Sequence, residues 1–165
     1  MKGMVFCLFN ELVEETFGLE VWDRLLITVE PESGGHYTAG GTYPTQELVA
    51  LVQELSQQTK IPAADLVRTF GEYMFPKLAS KYAVFLKDQS NLKSFLKTVH
   101  DVIHVEVKKL FPDAGLPTIE YEDPSENQLV MLYRSSRKLC HLSEGLINGA
   151  AKHFQSPVDI AHPLC

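Results

Sequence analysis

Two groups of side chains have types and spacings that could support chemistry. The first is a pair of histidines, His100 and His104, within the stretch SNLKSFLKTVHDVIHVEVKKLFPDAGLP that runs from Ser90 to Pro117. The second comprises Tyr133, Ser135 and Arg137, which are spaced two residues apart. Imidazole can ligate a metal ion, whereas a guanidinium beside two hydroxyls is suited to binding an anion.

The stretch that carries the histidines is predicted to be one long helix. Ser90 can act as its N-cap, and Pro112 and Gly115 end it. Apolar residues recur at three- and four-residue steps and predict a core-facing stripe: Leu92, Phe95, Leu96, Val99, Ile103, Val107 and Leu110. His104 has apolar helix neighbours and is expected to point inward, while His100 lies one turn earlier and closer to solvent.

Three interpretations of His104 remain open from this helix alone. It could be a core histidine hydrogen-bonded to a carbonyl or a carboxylate. It could share a metal ion with His100, although no acidic third ligand stands at a suitable position. It could also be the axial ligand of a haem held between this helix and an opposite wall, since imidazole suits iron.

The second group favours an anion site. Side chains two apart in an extended segment share a face, so Tyr133, Ser135 and Arg137 would converge while Arg134 and Lys138 face away. Arginine can bind a carboxylate through two parallel hydrogen bonds. The alternative is an ordinary solvated strand end.

Composition limits the function classes. A chain of 165 residues predicts a single domain over residues 1–165, and the net charge of −6 argues against a nucleic-acid partner. No apolar run has the length of a membrane span or of a signal peptide, so a cytoplasmic protein is expected. We find no nucleophile–base set, phosphate loop or telling carboxylate pair, so an enzyme is not expected.

The order of elements predicts an α+β fold. Helices are predicted over residues 3–17 and 20–29, from Thr45, from Pro62 and over residues 77–86, with Pro76 breaking or kinking the chain. TIEYE and QLVMLYR, separated by the turn DPSEN, predict an antiparallel hairpin. A helix over residues 139–154 follows, and residues 157–160 are expected to begin another strand, whose missing partner suggests a chain cut short.

The chain end offers a possible zinc site. Cys140, His162 and Cys165 supply thiolates and imidazole, but structural zinc takes four ligands and only three are present. The alternative is two free cysteines and a surface histidine. Such thiolates could also serve a thiol redox sensor.

Several motifs together resemble one family. Tyr133–Arg137 reads Y-x-S-x-R, His104 ends D-V-I-H, Pro117 follows that histidine by thirteen residues, and the chain starts M-K-G. In this combination the chain is similar to the H-NOX (haem nitric oxide/oxygen binding) family over essentially its whole length. The resemblance implies an N-terminal helical part, a long helix carrying the haem ligand and a C-terminal antiparallel sheet.

The resemblance also implies the site. His104 would be the proximal ligand of haem b, Tyr133, Ser135 and Arg137 would bind its propionates, and Pro117 would bend the macrocycle. Oxygen-binding members carry a distal tyrosine five residues after the motif arginine, where this chain has Leu142. The other matching distal positions are also apolar: Val5, Phe9, Met74, Leu78 and Leu146.

The expected function is therefore a nitric oxide sensor that excludes O₂ and also binds CO. Bound O₂ is stabilised by a hydrogen-bond donor that this distal wall lacks, and NO needs none. NO would break the Fe–His104 bond, the haem would relax, and the helical part would shift relative to the sheet part. The output would be a sensor histidine kinase, which we favour, or a cyclic-di-GMP enzyme (diguanylate cyclase or phosphodiesterase). Related proteins carry zinc with a further downstream cysteine, so a zinc/thiol redox sensor is the alternative.

Overall fold

The structure is a computed structural model that describes residues 1–163. The chain divides into two compact units, Met1–Phe70 and Gly71–Cys165. The expectation of one domain over residues 1–165 remains a prediction. The first unit contains α1 (Gly3–Phe17), α2 (Leu19–Val29), α3 (Thr45–Thr59) and the start of α4 (Ala63–Lys81).

Helix α1 is the central element of the first unit. Gly18 ends it with φ 91°, a conformation that glycine adopts without steric cost. Phe6 stacks on Tyr37 at 4.4 Å, and Tyr37 meets Tyr43 edge to face. Tyr37 and Ser33 donate hydrogen bonds of 2.8 and 2.6 Å to the buried carboxylate of Glu47. The irregular segment between α2 and α3 is therefore fixed onto α1 and α3.

The second unit carries the remaining elements. They are the rest of α4, a 3₁₀ turn (Ala83–Phe85), α5 (Leu92–Thr98), a π-helical turn (Val99–His104), α6 (Val105–Leu110), strands β1 (Thr118–Ser125) and β2 (Gln128–Arg134), and α7 (Cys140–His153). Its core includes Phe75, Phe95, Leu96, Ala150 and Ala151, all buried.

Helices α4 and α7 approach closely because glycines face the contact. A Cβ at Gly71 would lie 2.5 Å from the carbonyl oxygen of Leu142, and one at Gly149 would lie 2.5 Å from Phe75 Cβ. Glu72 on α4 accepts hydrogen bonds from Asn148 and Lys152 on α7 at 3.1 and 2.5 Å. The predicted break at Pro76 is wrong, since α4 continues through it to Lys81.

The predicted long helix is segmented, and its start differs from the prediction. Asn91, rather than Ser90, caps α5 through a capping box with Ser94. The π-turn then interrupts the α-helical period, and a residue in a π-turn advances less around the axis than in an α-helix. Positions after it are rotated out of the predicted stripe. Leu110 is consequently 65% exposed, so its assignment to the core was wrong.

The hairpin agrees with the prediction. Strands β1 and β2 are antiparallel, and Ile119 faces Tyr133 in their register. Residues 157–160 form no strand, so that expectation is wrong, and among residues 1–163 the sheet has two strands. The α+β class with a C-terminal antiparallel sheet is confirmed.

Candidate functional site

Strand β1 runs alongside α5 and the π-turn and sets the position of both. Lys97 Nζ lies 2.9 Å from Asp123 Oδ2. Lys93 Nζ donates a hydrogen bond of 2.5 Å to the carbonyl oxygen of Ser125. These two lysines hold the pKa of Asp123 below its usual range. Further along the same alignment, the π-turn contacts the start of β1. We name this pairing of α5 and the π-turn with β1 the helix–strand seam.

His100 makes two hydrogen bonds across the helix–strand seam. Its backbone N–H donates to the phenol oxygen of Tyr121 at 3.2 Å, and its Nδ1 accepts from the backbone N–H of Ile119 at 3.4 Å. Burial raises the pKa of Tyr121, the His100 amide opposes that shift, and the charge of Asp101 adds to it. The metal pair with His104 is not favoured, because His100 Nδ1 is already an acceptor.

His104 ends the π-turn with a buried ring nitrogen. Its Nδ1 is buried and makes no hydrogen bond of regular length and angle among residues 1–163, and the Pro117 carbonyl is the backbone acceptor beside the ring. Burial lowers the pKa of His104, and the neighbouring His100 lowers it further, whereas the adjacent backbone of Pro117 acts in the opposite direction. The inward orientation is confirmed. The ring is therefore disposed to be neutral, which is the form that ligates a metal.

Pro117 lies at the end of the helix–strand seam, next to the His104 ring. It is half-buried and lies immediately before β1, so the strand that binds the π-turn also sets the position of this proline. The thirteen-residue spacing of the motif thus corresponds to proximity of the Pro117 backbone and the His104 ring.

Tyr133, Ser135 and Arg137 keep alternating burial beyond the end of β2. All three are half-buried, whereas Arg134, Ser136 and Lys138 between and after them are exposed, as predicted. Ser135 and Arg137 lie in the turn after the strand, where the Arg137 backbone N–H donates to Ser135 Oγ at 3.2 Å. This turn needs φ +51° at Lys138.

The Arg137 guanidinium reaches the loop that precedes Pro117. It donates to the carbonyl of Gly115, and a Cβ at Gly115 would lie 2.9 Å from its Nη2. The arginine is therefore held beside the segment that leads to Pro117 and His104. A guanidinium at this position has the charge and the donor type that suit a carboxylate.

The predicted distal residues are distributed between the units. In the second unit, Met74 is 4% exposed on α4, with Leu78 half-buried one turn on, and Leu142 and Leu146 are half-buried on α7. In the first unit, Phe9 is buried and meets Phe70 edge to face at 5.3 Å, and Val5 is half-buried on α1. All of these side chains are apolar.

The residues of the second unit fit an axially ligated haem. A neutral imidazole has one nitrogen with a free lone pair, and the Pro117 carbonyl beside the His104 ring can accept a hydrogen bond from the other, which is the arrangement that a metal-ligating histidine requires. The arginine and the two hydroxyls match the carboxylates of haem propionates in charge and donor type. A hydrogen bond from the ring to the Pro117 carbonyl is compatible with both a core histidine and a haem ligand, because a metal-ligating imidazole commonly donates its other N–H to a carbonyl.

The predicted zinc ligands are only partly described. Cys165 lies outside residues 1–163. Cys140 begins α7 and is disulfide-bonded, so the prediction of Cys140 as a thiolate ligand of zinc is wrong in this structure. His162 instead contacts the buried carboxylate of Glu144, and His141 Nδ1 lies 3.3 Å from the other Glu144 oxygen. The ligand atoms of His141, Glu144 and His162 lie within 4.8 Å of one another, a set that could hold a metal ion.

Sequence reasoning missed Tyr121, Ile119, His141 and Glu144. The spacing of His141 and Glu144 places them on one helix face, so this pair was detectable. The bonds of Tyr121 and Ile119 depend on the helix–strand alignment and on the π-turn, for which the sequence gives no signal.

Comparisons with known proteins agree with these observations. A family model described as "Haem-NO-binding" matches residues 2–162. An H-NOX protein from S. oneidensis in the Fe(II)NO state is 36% identical, with a TM-score of 0.92 and coverage of 100% of this chain and 91% of that chain. An Fe(II) unliganded H-NOX protein from K. algicida is 40% identical, with a TM-score of 0.90 and coverage of 94% and 84%.

A curated relative is more distant and much longer. Guanylate cyclase soluble subunit beta-2 of Rattus norvegicus is 26% identical over 92 residues, which are 54% of this chain and 13% of that protein. Within residues 1–163, none of the helices has both the length and the apolar content needed to cross a bilayer.

Proposed function

Since this chain belongs to the haem-NO-binding family, whose members are haem-based gas sensors, we propose that it is a nitric oxide sensor that excludes O₂. Haem b is the proposed cofactor, with CO as a further ligand. The observation that carries the proposal is the inward-facing, half-buried imidazole of His104 at the end of the π-turn, with the Pro117 backbone beside its ring.

The residues around His104 have separate proposed roles. His104 would supply the axial imidazole, while Arg137, Tyr133 and Ser135 would bind the propionates. Pro117 would press on the macrocycle, which the adjacency of its backbone to the His104 ring supports. The haem iron supplies the open coordination position at which a diatomic gas binds.

Exclusion of O₂ is proposed from the apolar character of the distal residues. Leu142 and Leu146 on α7, with Met74 and Leu78 on α4, offer no hydrogen-bond donor from their side chains. Bound O₂ carries partial negative charge and depends on a donor, whereas NO does not. These side chains would therefore favour NO over O₂, because none of them can donate a hydrogen bond to bound O₂.

The signal is proposed to leave through release of His104. Release of His104 from bound haem when NO binds would free the π-turn and α6 from their tie to the cofactor. The π-turn would then have two states, one attached to the haem and one released, and NO would favour the released state. A ligand that favours one of two states is what a population shift requires.

The partner is proposed to be a signalling protein that acts in trans. A sensor histidine kinase is the first candidate, and a diguanylate cyclase or phosphodiesterase is the second. No catalytic role is proposed for the chain itself, in keeping with a family of haem-based sensors.

Titration of the ferrous protein with NO tests the proposal. We expect a haem absorption spectrum that changes with NO and with CO, an Fe–His104 bond that is lost with NO, and a spectrum that does not change in air. A stable ferrous O₂ complex in air would contradict the exclusion of O₂. A colourless protein after haem is supplied would contradict the sensor itself.

The zinc or thiol redox sensor is the second candidate. The cluster of His162 with Glu144 and His141 favours metal binding near the chain end. Metal analysis of the purified protein, with His162→Ala beside it, tests this candidate. We expect bound zinc in the parent protein and its loss in the variant, while peroxide should alter partner activity only if the thiols are the sensor.

A further inference from the structure

The π-turn before His104 has a change of hydrogen-bond period at its start. Val99 N–H bonds to Leu96, three residues back, and the six residues Val99–His104 are π-helical. A change from the α-helical to the π-helical pattern leaves a backbone amide without its regular helical acceptor. His100 N–H stands at this change of pattern, and it donates to the phenol oxygen of Tyr121 on β1.

The His100 side chain adds a second bond from the same residue to the same strand. Its Nδ1 accepts from Ile119 N–H, and Ile119 is buried and faces Tyr133 across the hairpin. The His100 and His104 rings meet edge to face with centroids 6.1 Å apart. One residue therefore connects the turn that carries His104 to the strand pair that carries Tyr133, the first of the predicted propionate ligands.

These two bonds act on the π-turn itself, whereas the lysines act on α5. Lys93 and Lys97 attach α5 to β1 through exposed ion pairs, which contribute little in water. The bonds of His100 are partly buried and involve backbone groups, so they fix the turn more firmly.

We propose that His100 and Tyr121 are positioning residues that hold the π-turn in the geometry from which His104 ligates iron. This inference deepens the proposed function and depends on it for the role of His104. Loss of either bond would let the turn relax, and His104 would then be released more readily when NO binds. Neither residue touches the haem in this proposal.

The tests use two variants and their matched partners. Tyr121→Phe removes only the acceptor hydroxyl, and Tyr82→Phe removes a hydroxyl elsewhere in the second unit as a control. His100→Leu removes the side-chain acceptor, and His100→Asn restores an acceptor near the position of Nδ1. In the CO-bound protein, ¹⁵N NMR should find the His100 proton on Nε2, because Nδ1 accepts a hydrogen bond.

Breaking of the Fe–His104 bond by NO is the second readout, followed by stopped-flow absorbance. One hydrogen bond corresponds to about a 2- to 10-fold change, so Tyr121→Phe and His100→Leu should speed bond loss by that factor. Both should also shift the Fe–His104 stretching frequency in the ferrous resonance Raman spectrum. His100→Asn and Tyr82→Phe should behave like the parent protein.

Outcomes separate this inference from the proposed function. If NO binds and breaks the Fe–His104 bond in the parent protein, but neither Tyr121→Phe nor His100→Leu changes the rate or the stretching frequency, the positioning role is overturned. A proton on His100 Nδ1 would also overturn it. Absence of an Fe–His104 bond in the parent protein would instead contradict the proposed function.

Discussion

At the scale of single residues, Leu142 is the side chain through which the gas selectivity can be tested most directly. The resemblance places the distal tyrosine of oxygen-binding members at this position, and Leu142 is half-buried on α7. Leu142→Tyr should supply the missing donor. A hydrogen bond to a charged group contributes about 1.5–3 kcal/mol, so O₂ should dissociate roughly 10- to 100-fold more slowly than from the parent protein, measured by stopped-flow absorbance.

Leu142→Phe is the control for that experiment, because it adds the same ring without the hydroxyl. It should leave O₂ binding as weak as in the parent protein. Equal O₂ affinity in the Tyr and Phe variants would show that the ring, and not a hydrogen bond, controls the ligand.

Pro117 offers a second residue-scale prediction. Its half-buried ring lies where β1 begins, and its backbone is adjacent to the His104 ring. Pro117→Ala should remove the proposed pressure on the macrocycle, and the haem should become flatter in a crystal structure of the variant. Unchanged haem distortion would refute the role assigned to this proline.

Tyr37 allows a prediction about pH. Burial raises the pKa of Tyr37 to about 12, and its hydrogen bond to Glu47 contributes. The unfolded chain would lose this proton near pH 10, so the folded state should lose stability as pH rises from about 10 to about 12. Thermal unfolding of the parent protein and of Tyr37→Phe across this range checks the sign, since the variant should show a smaller loss.

At the scale of elements, the contact between α4 and α7 depends on glycine. A Cβ at Gly71 would meet the backbone of Leu142, Gly145 and Leu146 at 2.5 to 2.8 Å, and a helix backbone cannot yield locally. Gly71→Ala should therefore destabilise the protein by about 1–3 kcal/mol, as overpacking typically does. For a chain of this size each kcal/mol lowers Tm by roughly 2–4 °C, which calorimetry can resolve.

Gly40→Ala is the matched control for Gly71→Ala. A Cβ at Gly40 would meet nothing within 4 Å. Its Tm should equal that of the parent protein or lie slightly above it, because alanine restricts the unfolded chain. A Gly71→Ala variant as stable as the Gly40→Ala variant would mean that α7 can move away without cost.

Elements with a clear period were predictable from the sequence, and those that depend on tertiary contacts were not. Helix α1, the hairpin and α7 follow apolar spacing and turn residues closely. The π-turn was not predictable, because its hydrogen bonds are completed by Tyr121 from another element. Pro76 remained within α4, since the packing of α4 outweighs one lost hydrogen bond.

Of the candidate site, the alternation of the polar residues was predictable from the sequence, but the contact between distant segments was not. Alternation through Tyr133, Ser135 and Arg137 followed from strand geometry, although β2 itself ends at Arg134. The attachment of Arg137 to Gly115 could not be foreseen, because it joins segments 22 residues apart through a loop without periodicity.

At the scale of the whole molecule, the proposed function makes His104 the residue at which ligand binding would be converted to output. His104→Gly should mimic the released state in the absence of added imidazole, and it should regulate the partner as NO does. Phosphorylation by the partner kinase, measured with and without imidazole, checks this. Partner activity that is the same with the variant and with the unliganded parent protein would count against release of His104 as the signal.

The π-turn has a further consequence for sequence length in this region. A residue of an ordinary α-helix advances about 100° around the axis. Deleting one residue between Val99 and Ile103 would let the backbone return to regular α-helical winding. It would also rotate every later side chain around the helix axis. His104 would then no longer face the side on which its buried nitrogen now lies. Relatives with a functional histidine at the position of His104 should therefore tolerate substitutions within the π-turn far better than a deletion there.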